Sequence, residues 1–97
     1  TAMSWKSDWV PPGFMPVNGT DEIGGNVLIY SDGLANYSVF IEKIKDDRMP
    51  EGASQVGATV AYAQTLTFDS HQYSVTVIGE IPAMTAMLVA ESVMPIM

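Results

Sequence analysis

At 97 residues, 47% of them hydrophobic and 15% charged, the chain is sized and composed for one folded domain, not two. Eleven carboxylates against four Lys/Arg give a formal net charge of −7. Lys6, Lys43, Lys45 and Arg48 are too few to neutralise a phosphate backbone, and the last three sit among Glu42, Asp46, Asp47 and Glu51, which argues against nucleic acid and anionic membrane surfaces as partners.

Residues 1–12 read as a linker, closed by Pro11 and Pro12, which lack N–H donors, and residues 13–97 as a single domain. Gly13 to Asn18 is a first short strand, followed by the turn residues Asn18-Gly19-Thr20-Asp21. Asn26 to Tyr30 is a β run after Gly24-Gly25. Ser31-Asp32-Gly33 then supplies a hairpin turn, and Tyr37 to Ile41 returns as the partner strand. The polar stretch from Glu42 to Gln55, with Pro50 and Gly52 inside it, reads as a strand end and an exposed loop. Val56 to Phe68 fits a fourth strand, Asp69-Ser70 a turn, and Tyr73 to Val77 an alternating fifth. Pro82 suits the first turn of a helix. Ala83, Met84, Ala86, Met87, Leu88, Ala90, Val93 and Met94 then recur at helical spacings as a sheet-facing stripe, which Pro95 stops. The expectation is α+β: an antiparallel β-sheet of about five strands with one C-terminal α-helix on one face.

The central hairpin is apolar on both sides. Val27 and Ile29 occupy one face and Leu28 and Tyr30 the other, while Val39 and Ile41 lie opposite Phe40. One helix covers one face, so the second needs another cover. Either the N-terminal segment with Trp5, Trp9 and Phe14 folds over it, or it docks a missing domain, a partner or a second copy of the chain.

Catalytic chemistry is hard to assemble. There is no cysteine, and His71 is the only histidine, so no metal or thiol site is expected. Asp69, Ser70 and His71 are consecutive in a turn and cannot adopt the geometry of a catalytic triad. No GxGxxG or Walker pattern surrounds Gly24-Gly25, and no cofactor is implied. No apolar run reaches the ~20 residues of a membrane-spanning helix. The chain begins at Thr1 rather than Met, as expected of a mature or excised fragment.

Several stretches, taken in order, resemble the C-terminal domain of the MucB/RseB family of envelope-stress regulators. They are Trp9-Val10-Pro11-Pro12-Gly13-Phe14, Tyr30-Ser31-Asp32-Gly33-Leu34, Ser38-Val39-Phe40-Ile41-Glu42, Gly57-Ala58-Thr59 with Ala61-Tyr62-Ala63, Val75 to Pro82 and Ala90-Glu91-Ser92-Val93. The resemblance implies a non-enzymatic periplasmic regulator whose larger N-terminal, lipoprotein-carrier-like domain is absent here. It also implies binding to the periplasmic domain of an anti-sigma factor, protection of that partner from regulated proteolysis, and sensing of lipid or lipopolysaccharide by the full protein. Tyr30, Ser31, Asp32, Gly33, Leu34 and Phe40 are the expected partner contacts, with the 42–55 loop beside them. The alternative is a module that holds a lipid or acyl chain between sheet and helix.

Overall fold

The computed structural model describes residues 5–17, 27–44 and 51–96. Its centre is a six-stranded antiparallel sheet in the order β2-β3-β4-β7-β6-β5. The strands are β2 (Met15–Pro16), β3 (Val27–Ser31), β4 (Asn36–Lys43), β5 (Gly52–Val56), β6 (Thr59–Phe68) and β7 (His71–Gly79). One helix, α1 (Ala83–Ser92), lies across the sheet, and β1 (Trp5–Ser7) pairs antiparallel with β8 (Val93–Pro95) as a separate two-stranded ladder. The architecture is α+β, as the sequence predicts.

Alternation fixes which face is buried. Tyr37, Val39 and Ile41 of β4 pair with Gly79, Val77 and Val75 of β7, and all these side chains share one side. Val39, Val75 and Val77 have no exposed surface, nor do Ala86 and Val89 of α1 above them. Each buried valine or isoleucine contributes about 1.5–3 kcal/mol relative to exposure. Val60, Tyr62 and Leu66 of β6 extend the same face.

The N-terminal segment does more than link. Its β1 strand holds Trp5 buried, with the indole edge-on to Tyr73 at 4.9 Å. Phe14 packs on Tyr37 at 5.3 Å. Tyr73 and Tyr37 both belong to the helix-bearing face, so helix and N-terminal segment cover the same side of the sheet.

Three expectations are corrected. Part of the anticipated 42–55 loop is a strand: Gly52 to Val56 pairs with β6 through a turn at Gly57-Ala58, so the run from Val56 to Phe68 is a hairpin rather than one strand. The helix turns Ala86, Val89 and Ala90 inward, whereas Met84, Leu88 and Met94 of the expected stripe are exposed, Met94 lying past the helix end. Because the segment is apolar almost all round, periodicity alone cannot select its buried side; the two alanines and Val89 win by permitting close approach. The helix also ends at Ser92, before Pro95, because Val93 to Pro95 turns extended to pair with β1. The expected turn at Asn18 to Asp21, the Gly24-Gly25 pair and residues 45–50 of the loop lie outside the described residues.

Candidate functional site

The second sheet face has no cover among the described residues. Cross-strand registers line it up in rows: Gly52, Ala63, Thr76, Phe40 and Val27 form one, and Ser54, Ala61, Ile78, Ser38 and Ile29 the next. Phe40 and Ile78 are each 39% exposed at its centre, and Met15 is 68% exposed at one side. At the described strand positions of this face Glu42 is the only ionisable side chain, in a chain of net charge −7. Depletion of charge around aromatic and aliphatic side chains is the composition of an interface core rather than of an ordinary solvated surface.

The structure separates the residues expected to touch a partner. Phe40 stands on the uncovered face. Ser31 to Leu34 form the β3–β4 turn, where the Asp32 carboxylate accepts hydrogen bonds from the N–H groups of Leu34 (2.9 Å) and Ala35 (2.8 Å). Those donors, Ala35 first, hold the Asp32 carboxyl below the usual carboxylate range. Gly33 takes the turn's positive φ of 95°, and its N–H donates to Ser31 Oγ at 3.0 Å. This network presents Leu34, 96% exposed, at the tip. Tyr30 instead points into the core and stacks on Tyr37, with ring centroids 5.2 Å apart. Burial pushes its phenol pKa up, and a hydrogen bond with the Ser7 main chain opposes that shift. The Tyr37 phenol is pushed up further by burial, then by the neighbouring Tyr30, and its hydroxyl has no hydrogen-bond partner among the described residues.

Ile78, Val27 and Ile29 belong to the uncovered face but not to the expected contact set. The signal for Ile78 was present: it follows Ser74 and Thr76 at spacings of two, on the side of β7 that otherwise reads as polar. Asp69, Ser70 and His71 lie in and just after the exposed β6–β7 turn, with positive φ at Asp69 and Ser70. No cluster of three or more His, Cys, Asp or Glu is placed to hold a metal among the described residues. The space between sheet and helix, where an acyl chain would have to sit, is occupied by the packed side chains of Val39, Val75, Val77, Ala86 and Val89.

Comparison with known proteins identifies the lineage of this fold. The profile of the MucB/RseB C-terminal domain matches residues 1–94. The sigma factor AlgU regulatory protein MucB of Pseudomonas aeruginosa is 39% identical over 102 residues, covering 96% of this chain and 31% of that protein. The sigma-E factor regulatory protein RseB of Haemophilus influenzae is 30% identical, covering 94% of this chain and 29% of the relative. This chain thus spans about a third of the length of the relatives it matches. Among solved structures, MucB in complex with MucA(peri) superposes with a TM-score of 0.80 at 38% identity, over 95% of this chain and 36% of that one. A second complex, of Pseudomonas aeruginosa MucA and MucB, gives 0.81 at 37% identity, over 98% and 36%. By profile, identity and fold together, the chain belongs to the MucB/RseB family and corresponds to its C-terminal domain.

Proposed function

We propose that this chain is the C-terminal module of a periplasmic, non-enzymatic sigma-factor regulator, and that it binds the periplasmic region of a membrane-anchored anti-sigma factor. The observation that carries the reading is the uncovered, almost charge-free sheet face centred on Phe40 and Ile78. It occurs in a fold whose relatives have been solved in complex with MucA. In this reading the module works beside a larger N-terminal, lipoprotein-carrier-like domain. Together they shield the anti-sigma factor from regulated proteolysis and release it when the full protein senses lipid or lipopolysaccharide. The regulatory names of the relatives support a non-catalytic role.

The test is calorimetric titration of the anti-sigma periplasmic segment into the full regulator, with and without the region equivalent to residues 1–97. The expected result is a loss of affinity of at least tenfold on deletion. Unchanged affinity overturns the proposal.

A further inference from the structure

The two edges of the main sheet are built differently. At one edge β2 is two residues long and includes Pro16, which cannot donate to a further strand. At the other, β5 runs five residues in regular pairing with β6, and all five, Gly52-Ala53-Ser54-Gln55-Val56, are exposed and uncharged. Natural sheet edges are ordinarily blunted by lysine, proline, bulges or brevity. Among the described residues β5 carries none of these devices, and no other strand pairs with its outer side.

The hydrogen-bonding parity of that edge follows from one contact. The Glu51 carboxylate accepts the N–H of Thr65 at 2.6 Å, so the odd-numbered residues of β6 turn their backbone polar groups toward β5. In antiparallel alternation Gly52, Ser54 and Val56 face them, and Ala53 and Gln55 turn their N–H and C=O groups outward. Beside this edge the uncovered face drops to a shallow depression of about 220 Å³ whose lining includes Gly52, Ser54, Ala61 and Ala63, with Glu51 its one charged residue. The bulkier Ile78 and Phe40 rise toward the centre of the sheet.

We propose that β5 is an acceptor for strand addition. One extended, uncharged segment of the anti-sigma partner pairs antiparallel or parallel with the outer edge of β5. Its alternate side chains then fall over the depression toward Ile78 and Phe40. The proposal rests on the anti-sigma reading above. What stands unpaired is a row of backbone groups, so the complementary ligand is an extended polypeptide. β5 itself carries no charge, and the one charged side chain lining the depression, Glu51, is already engaged by the Thr65 N–H, which favours an uncharged segment. The net charge of −7 on each copy opposes a second copy of this chain as the occupant.

The experiment is amide hydrogen exchange on the full regulator, alone and saturated with the anti-sigma periplasmic segment, with affinities measured for two variants. Gln55→Pro removes an outward N–H while leaving the pairs to β6 intact, and Ser54→Lys puts a cation into the depression. The expected result is slowed exchange at Ala53 and Gln55 on binding. Each variant should also weaken binding at least tenfold, with an unchanged circular dichroism spectrum and Tm within a few degrees of the parent. Wild-type binding without protection of those two amides, or with equal affinity in Ser54→Lys, overturns strand addition and leaves the anti-sigma reading standing. Protection of the same amides by concentration alone makes a second copy the occupant and also overturns it. No binding by the wild type removes both readings.

Discussion

Gly79 lies directly across from Tyr37 in the β4–β7 ladder, with the tyrosine occupying the space in which any side chain at 79 would stand. A Cβ built on Gly79 would overlap Tyr37 Cβ and come within 2.6 Å of the Asn36 carbonyl oxygen. Both neighbours are central-strand backbone or its first side-chain atom and cannot retreat. Gly79→Ala is therefore expected to destabilise the fold by about 1–3 kcal/mol through overpacking, measured as a lowered urea midpoint with unchanged m.

Tyr37→Phe tests the other end of the same side chain. The buried hydroxyl has no partner among the described residues, so its removal discards a desolvation cost and no hydrogen bond to them. The expected outcome is a variant as stable as the parent or up to about 1 kcal/mol more stable. A loss above about 1 kcal/mol in urea melts would show that the hydroxyl is bonded in solution.

The tyrosine pair also sets an alkaline limit. Burial favours the neutral phenols of Tyr37 and Tyr30, raising both pKa values above the unfolded 10.0. A raised folded pKa contributes stability that is complete below pH 10 and lost as pH rises beyond it. Stability measured from pH 8 to 12 should fall above pH 10, and less steeply in Tyr37→Phe.

Asp32 sets an opposite dependence at the acid end. Its carboxylate is stabilised by the Ala35 and Leu34 amides, so its pKa lies below the ordinary 3.8. The contribution is present above that value and is lost as pH falls through the folded pKa. Asp32→Asn, which retains an acceptor without titrating, should flatten the acid limb of the stability curve below pH 4. Identical acid limbs in the two proteins would refute the assignment.

Trp5 and Trp9 should separate cleanly. Trp5 is 5% exposed against Tyr73, and Trp9 is 39% exposed. Trp5→Ala is expected to cost about 3–5 kcal/mol and to release β1 from β8, whereas Trp9→Ala should cost under about 1 kcal/mol. Acrylamide quenching of the single-tryptophan variants gives an independent check: the protein retaining only Trp9 should be quenched more readily.

Much of this arrangement was legible in the residue order, and the failures have physical causes. Alternation in Tyr73 to Val77 and the apolar, β-branched run from Tyr37 to Ile41 mark the two central strands, and Asp32-Gly33 marks the turn that pairs β3 with β4. The β5 strand escaped because Gly-Ala-Ser-Gln-Val has little intrinsic β preference; pairing with β6 makes it a strand. At the candidate site Phe40 could be read from its parity against Val39 and Ile41. Tyr30 could not be excluded from the surface without knowing that the register sets it beside Tyr37 on the helix side.

The pairing of β1 with β8 also has a mechanical meaning. Trp5 lies opposite Pro95, and Ser7 opposite Val93, so the chain enters and leaves the domain side by side. Tension applied through both ends would load these pairs one after another, opening like a zipper, instead of shearing them together. The Ser7–Ser92 hydroxyl contact at 2.7 Å and the Asp8 N–H to Ser92 carbonyl bond at 2.8 Å stand at the far end of that zipper. They would be the last clasp to yield before the helix itself was pulled from the sheet.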